Sequence, residues 1–356
     1  MTHPQNRLLT ERVELGRFPT PVRRLEGLPL GPGELWVKDD ARSSPVYGGN
    51  KVRKLERSLG IALARGAKRI VTVGAAGSHH VLATTAFARR LGLETLAVLC
   101  PQPWSEHAEE TLRLSLAQGL EVRVATAEAW VPVRLAREIK RGDYVLPPGG
   151  SNLAGTLAFA DAMHELAAQV TQGELPQPDV IVAALGSGGT VGGILAGVID
   201  LGLPTRVVGV AVARGRVVSR ALGIGLAAAT LARTRPGISL ARVARSLVVD
   251  PTELGKGYGY PTPAGQAAIE LAKQVGLDLD ATYTAKAFSA ALGLLDCRAL
   301  PRKPATGSKD AAVREFSGRP LRVLYWHTLS AAPALLAAEA GVAPLPARLR
   351  ALLPRG

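Results

Sequence analysis

The stretch Gly48-Gly49-Asn50-Lys51-Val52-Arg53-Lys54-Leu55-Glu56 reads as a turn of small and polar residues that delivers a lysine to the first turn of an amphipathic helix. Two glycines let the backbone take positive φ and approach a bound group closely, and Asn50 is a good N-cap. Val52, Leu55 and Leu59 predict the buried stripe, so that Lys51 and Lys54 share a face. A second cation nearby and the positive end of a helix both disfavour an ammonium and lower its pKa. A lysine that anchors a carbonyl compound through a Schiff base needs that environment, because it must spend time as the free amine. Taken alone the stretch is better described as a solvated basic helix start, and the rest of the chain has to overturn that description.

With 356 residues, 47% of them hydrophobic, the chain is long enough for two domains and a sizeable core. Aromatics make up only 4%, so the core rests on Ala, Leu and Val. No apolar run reaches the length of a membrane span, and residues 1–12 are polar without an apolar signal core, so a soluble cytoplasmic protein is expected. Cys100 and Cys297 are the only cysteines, which supports neither a disulfide framework nor a zinc site, and no metal is expected. The formal net charge of +14 raises the question of nucleic acid. The basic residues are scattered in pairs such as Arg23-Arg24, Arg89-Arg90 and Arg302-Lys303, with no basic arm or recognition motif, so no nucleic-acid partner is expected. A positive field suits anionic small molecules instead.

Strands and helices alternate along the chain. A short strand is predicted at 34–38 and a loop at 39–49 leading into the lysine helix. A strand at 69–73, a helix at 79–91 and a strand at 95–100 form a βαβ unit, which requires a parallel sheet. A helix at 106–118 and strands at 121–125 and 144–146 lead into Pro147-Pro148-Gly149-Gly150-Ser151-Asn152, a turn-rich crossing out of a small domain. Helices are predicted at 154–169, from Val191, across 214–247 with a break at Pro236-Gly237, and at 262–275. Strands are predicted at 180–184, 206–212 and 321–326. Residues 280–287 carry a tyrosine turn, and 301–320 and the stretch from Pro344 are expected to be peripheral.

Gly186-Ser187-Gly188-Gly189-Thr190 lies between a strand and a helix, where glycines expose backbone N–H groups to an anion. Val191 stands where a dinucleotide fingerprint needs glycine, and no Gly-Lys-Ser/Thr follows, so the cup suits a single phosphate, with Thr190 adding a hydroxyl. Gly77-Ser78-His79-His80 occupies the equivalent junction of the βαβ unit, where Ser78 and helix-start amides suit a carboxylate. The adjacent histidines point to different faces and do not make a metal site by themselves. Tyr258, Tyr260 and Tyr283 fall in loop-like segments and are candidates for stacking or proton transfer, or equally for packing under a loop.

Together these pieces resemble the pyridoxal-phosphate enzymes of fold type II, and within them the family of D-cysteine desulfhydrase and 1-aminocyclopropane-1-carboxylate deaminase. The match runs in order through Gly49-Asn50-Lys51-x-Arg53-Lys54-Leu55-Glu56, Ser78, Pro148-Gly149-Gly150-Ser151-Asn152, Gly186 to Thr190, Tyr258-Gly259, Tyr283-Thr284-x-Lys286 and His327-Thr328. The resemblance implies an α/β fold of two open, twisted, mostly parallel sheets flanked by helices. It implies a large domain of residues 1–51 and 156–356, a small one of 52–155, and an active site between them. It implies pyridoxal 5'-phosphate as cofactor, a small amino acid as substrate and a homodimer. Lys51 would bond to the cofactor and shuttle the α-proton, with Asn50 and His79 beside the cofactor; Lys54 and residues 186–190 would hold its phosphate. Ser78 would bind the substrate carboxylate or act as a base, Tyr283 would approach the substrate, and Tyr258 and Thr328 would complete its pocket. Thr284 would face the pyridine nitrogen.

In the deaminases a glutamate and a leucine stand at the positions of Thr284 and Thr328, and the threonine pair is desulfhydrase-like. A neutral hydroxyl does not enforce a charged pyridine nitrogen, and loss of a thiolate asks less of the ring than cyclopropane opening. The expected reaction is therefore α,β-elimination from D-cysteine to pyruvate, sulfide and ammonia. The alternatives are deamination of 1-aminocyclopropane-1-carboxylate or another D-amino acid, and cofactor binding without turnover. The chain departs from the family at His79, where asparagine contacts the ring hydroxyl, and at Leu329-Ser330, where Gly-Gly is usual.

Overall fold

The computed structural model describes residues 10–300, 319–329 and 341–354, together with Leu336 and Glu339. The chain forms two compact units. The first contains residues 10–17, Ser43–Gly155 and the described residues from 330 onward; the second contains Phe18–Arg42 and the described residues of Thr156–Leu329. This differs from the expected division, in which 1–51 and everything after 155 belong to one domain. Glu56 is the reason at the N-terminal end: its carboxylate accepts the N–H groups of Leu15 (3.1 Å) and Gly16 (3.0 Å), and its carbonyl accepts that of Val13 (3.0 Å). At the other end the stretch from Pro344, expected to be peripheral, buries Leu349, Leu352 and Leu353 with Ala97, Leu99 and Leu112 of the first unit. Residues 301–318, in the other stretch expected to be peripheral, lie outside the described residues.

Strands β1 (Val22–Arg24) and β2 (Gly33–Asp39) belong to the second unit. The first unit follows with α1 (Lys51–Ala64), β3 (Arg69–Ala75), α2 (His79–Arg90), β4 (Glu94–Cys100), α3 (Glu106–Ala117), β5 (Glu121–Val124), α4 (Val131–Glu138) and β6 (Tyr144–Leu146). These strands make a four-stranded parallel sheet in the order β5-β4-β3-β6. Both faces are covered, as parallel sheets require. Val71, Val73, Leu96 and Val98 pack on one side, Ala97 and Leu99 on the other.

Helix α5 (Leu153–Thr171) leads to β7 (Val180–Leu185), α6 (Gly189–Asp200), β8 (Arg206–Ala211), α7 (Arg216–Thr234), α8 (Leu240–Ser246), β9 (Leu247–Asp250), α9 (Pro263–Gln274), α10 (Thr284–Leu294) and β10 (Leu321–His327). The second sheet runs β1-β2-β10-β7-β8-β9, parallel except for the β1–β2 pair. Side chains of alternate parity serve separate cores: Leu324 and Trp326 pack with Ile181 and Ala183, whereas Val323 and Tyr325 pack with Val180, Val182 and Phe288. Trp326 is fully buried, edge-on to Phe159, and its indole N–H donates to Asp40 at 2.9 Å. Among the described residues no helix is long and apolar enough to cross a membrane.

The fold class is the one expected, and two strands and two helices are among the elements that go beyond the sequence reading. Strands β1 and β9 are short edge strands whose Arg-rich flanks hide a period of two. Helix α4 is too short, and too exposed, to show a wide apolar face. Helix α10 occupies what reads as a tyrosine turn, because nine of its residues are buried and no polar stripe marks its period.

Candidate active site

The first unit presents a pair of amines at the start of α1. Gly49 takes a φ of +100°, but Asn50 has helical φ and ψ and its side chain makes no cap. Its Oδ1 instead accepts a hydrogen bond from Lys51 Nζ at 2.8 Å. The expected N-cap is thus an amine-orienting group, because a helical ψ at residue 50 turns its side chain away from the amides that follow. Lys54 is buried, its Nζ donating to the Gly149 carbonyl at 3.1 Å and reaching Ser151 Oγ at 3.4 Å. Burial first, and then the charge of Lys51, push its pKa well below the ordinary lysine value. The Pro-Gly-Gly-Ser-Asn stretch is accordingly the seat of Lys54, and Asn152 Oδ1 accepts the Gly155 N–H at 2.8 Å.

Ser78 is the N-cap of α2, its hydroxyl oxygen accepting the Val81 N–H at 3.4 Å and keeping its own proton to donate. A Cβ at Gly74 would lie 2.9 Å from that oxygen, so the glycine makes room for the serine. His80 is buried. Thr72 gives its proton to the Leu146 carbonyl at 2.8 Å, so His80 Nε2 donates to Thr72 Oγ1 at 3.0 Å. Burial, then Lys51 and Lys54, push the His80 pKa well below the ordinary imidazole range, which keeps it neutral. Both nitrogens of His79 are engaged, Nδ1 with the Tyr47 hydroxyl at 2.6 Å and Nε2 with His107 Nε2 at 2.8 Å. A contact from His79 to a cofactor hydroxyl, as the resemblance implies, has to break one of these bonds.

The second unit presents the glycine cup. Residues 186–190 join β7 to α6, Gly188 is the N-cap with a φ of +94°, and a Cβ there would lie 3.1 Å from Leu222 Cβ. A Cβ at Gly186 would lie 3.4 Å from the Tyr283 ring. Tyr283 donates to the Tyr258 hydroxyl at 2.9 Å, the rings meeting edge to face. Burial first, then Tyr258, push the Tyr283 pKa well above the ordinary phenol value, so it is a proton donor and not a base. Thr284 is buried at the start of α10; its hydroxyl donates to Asp280 Oδ2 at 2.6 Å and accepts the Asp280 N–H at 2.7 Å. Asp280 Oδ1 also accepts the N–H groups of Thr282 (2.9 Å) and Tyr283 (2.7 Å). Lys286 ties the carbonyls of Leu254 (3.1 Å) and Gly257 (3.2 Å), which fixes the turn bearing Tyr258.

At the end of β10, His327 is held between Asp39 Oδ1 at 3.0 Å and the Asp278 carbonyl at 2.9 Å, and Thr328 follows, buried. Burial alone would raise the Asp39 pKa, but the hydrogen bond and charge of His327, with the Arg42 charge and the Ala41 N–H, together hold the carboxyl below its usual range. Ser330, half of the Leu329-Ser330 departure, lies outside the described residues. Among the described residues no cluster of three or more His, Cys, Asp or Glu side chains is placed to hold a metal.

An oriented amine beside a buried second amine on one unit, and a glycine-rich helix start beside a protonated phenol on the other, are the parts that a phosphorylated aldehyde calls for. The family model described as "Pyridoxal-phosphate dependent enzyme" matches residues 13–306. The chain belongs to this family. A putative 1-aminocyclopropane-1-carboxylate deaminase of Pyrococcus horikoshii is 35% identical over 317 residues, 84% of this chain and 89% of that protein. A nocardicin C-9' epimerase of Nocardia uniformis is 36% identical over 306 residues (79% and 88%), and a D-cysteine desulfhydrase of Klebsiella pneumoniae is 34% identical over 306 residues (82% and 90%). The solved structure of an ACC deaminase homologue superposes with a TM-score of 0.70 at 28% identity, covering 99% of this chain and 100% of that one.

The donor set of this pyridoxal-phosphate dependent enzyme fits the cofactor within each unit. Lys51 supplies an amine, Lys54 a second, buried amine, and Gly188 a positive-φ N-cap at the start of α6. Sequence reasoning alone misses Tyr47, His107 and Asp280. Tyr47 and His107 lie 32 and 28 residues from their common partner His79, so no local pattern joins them. Asp280 has a legible signal, a carboxylate ahead of a helix start, once α10 is recognised as a helix.

Proposed function

We propose that this enzyme catalyses α,β-elimination on a small amino acid, D-cysteine foremost, releasing pyruvate, hydrogen sulfide and ammonia. The observation that carries the substrate choice is the buried hydroxyl of Thr284 in place of a carboxylate, with Thr328 as its companion. Bound pyridoxal phosphate supplies an electron sink that acidifies the substrate's α-hydrogen. Lys51 anchors the cofactor, and its amine, oriented by Asn50, takes the α-proton. Lys54 and the amides of 186–190 bind the phosphate. Ser78 donates its proton to the substrate carboxylate, while the Tyr283 hydroxyl turns its proton from Tyr258 to the departing group. A second reading, deamination of 1-aminocyclopropane-1-carboxylate, draws on the Pyrococcus relative.

Borohydride treatment of the yellow holoenzyme is expected to abolish its visible absorbance and leave the label on the peptide containing Lys51. A colourless protein that stays colourless with added cofactor overturns the cofactor roles. Sulfide and pyruvate from D-cysteine, without 2-oxobutyrate from the cyclopropane amino acid, are the expected products; the reverse result assigns the second reading.

A further inference from the structure

Three side chains of the first unit form a continuous hydrogen-bonded chain that the roles above leave unused. Tyr47 is buried at 1% exposure in the loop that delivers Lys51. Its hydroxyl meets His79 Nδ1 at 2.6 Å, and His79 Nε2 meets His107 Nε2 at 2.8 Å. His79 is half-buried in the first turn of α2, and His107 is exposed in the first turn of α3. The next residue along α2, His80, feels the charges of both Lys51 and Lys54, so this helix start lies beside the amines.

Two imidazole nitrogens at that separation share one proton, since two N–H groups would repel and two lone pairs would leave no bond. The chain therefore has two complete states. In one, Tyr47 donates to His79 Nδ1 and His79 Nε2–H donates to His107. In the other, His107 Nε2–H donates to His79, and His79 Nδ1–H donates to the tyrosine oxygen.

We propose that Tyr47, His79 and His107 are a proton path between the Lys51 loop and solvent. Outward, the Tyr47 O–H bond breaks as N–H forms at His79 Nδ1, and the His79 Nε2–H bond breaks as N–H forms at His107 Nε2. His107 then releases its Nδ1 proton to water. On this proposal the phenolate regains a proton from the Lys51 side, where the amine has taken one from the substrate, and the charge leaves with the released proton. Inward transfer retraces the same bonds, so the two directions reset one another without a ring flip. Exchange of an α-hydrogen with solvent takes one proton out and brings another in, and so uses both directions. His79, a departure from the family pattern, has a function here as a relay; it acts through the site's lysine and is a positioning residue for protons. The proposal rests on the reading of Lys51 as the group that takes the α-proton.

The test has two arms. In the first, holoenzyme is incubated in D2O with D- or L-alanine, which carry an α-hydrogen but no departing group, and loss of the Cα–H signal is followed by NMR. His107→Ala is expected to slow exchange by at least about tenfold with the visible spectrum unchanged, and added imidazole to restore it. Rescue by a free imidazole is not expected of a residue that merely packs. Exchange in His107→Ala at the wild-type rate overturns the path. In the second arm, nitrogen-15 NMR of histidine-labelled holoenzyme is expected to show coupling between the two Nε2 atoms across one hydrogen bond, and Tyr47→Phe to shift the tautomer of His107. Absence of both signals overturns the path whether or not alanine is a substrate. A protein that shows them but exchanges neither alanine and carries no label on Lys51 fails the function reading, and the path falls with it; a label on Lys51 with wild-type exchange in His107→Ala fails the path alone.

Discussion

Thr284 shows how much a single proton's position changes the meaning of a residue. A threonine hydroxyl can give or take, but here Asp280 holds its proton at 2.6 Å, and only an acceptor lone pair remains for any other partner. A group facing this hydroxyl therefore has to bring the proton itself, and the neutral oxygen accepts it without enforcing the charge that a carboxylate would enforce. Asp280→Asn reverses the polarity: the amide nitrogen donates to the Thr284 oxygen and frees its O–H at the loss of the Thr284 N–H bond to Oδ2 (3.2 Å), while the amide oxygen still caps Thr282 and Tyr283. The expected result is a shifted visible absorbance band in the holoenzyme with a stability loss of about 1 kcal/mol or less; an unchanged band refutes the assignment of Thr284 to the ring. His80 permits a second test. Its folded pKa is depressed, so the unfolded chain takes up a proton that the folded chain refuses, and stability is lost as pH falls below about 6.5. His80→Gln is expected to make that decline shallower by up to about 1.4 kcal/mol per pH unit, measured by urea unfolding. The helix-start positions of Lys51 and Lys54, and of Ser78, were legible because a short contiguous stretch carries each. Tyr47 and His107 were not, because their chemistry exists only once a helix and a loop bring distant residues together.

The turn from 251 to 262 is the element on which the tyrosine pair depends, and it is held from below. Glu253 is buried and accepts hydroxyls from Thr262 at 2.7 Å and Ser289 at 2.9 Å, and Lys286 binds two carbonyls of the same turn. The Tyr-Thr-x-Lys pattern thus has a mechanical explanation: its lysine positions the other tyrosine. Burial lowers the Lys286 pKa while the charge of Asp280 opposes the shift. Lys286→Met keeps the length and removes the donors, leaving two carbonyls without their partner. The expected cost is about 1–3 kcal/mol, with faster amide exchange at 254–260 and a raised KM at little change in the Lys51 label. Exchange confined to other segments would show that the lysine does not hold this turn. The strands of both sheets were legible wherever a run of Val, Ile, Leu and Ala is bounded by turn residues. Helix α10 was not, because a helix buried on nearly every side loses the stripe by which helices are recognised, and β9 was masked by the Arg-rich helix that runs into it.

The chain's charge bears on how it meets its cofactor. Lysine and arginine total 43 against 29 acidic residues, and several arginines bind helix-end carbonyls in place of carboxylates. Arg235 donates to the carbonyls of Ile199 and Asp200 at the end of α6, and Arg220 to those of Ala244 and Leu247 around the end of α8. A cation at a helix C-terminus satisfies the carbonyls there and complements the helix dipole, yet keeps its full charge. The excess of +14 is set by composition whatever those arginines bind, and it should draw anions toward the protein before any contact forms. The decisive comparison is between pyridoxal phosphate and pyridoxal, which share a ring and aldehyde and differ in the phosphate. Stopped-flow absorbance of the apoenzyme is expected to show the phosphate's association rate falling by at least about threefold as the Debye length shrinks from about 30 Å to about 8 Å. Pyridoxal's rate should barely move, and dissociation of either should stay constant. Equal salt dependence for the two would mean that the field plays no part in capture and that the charge excess serves only the helix ends.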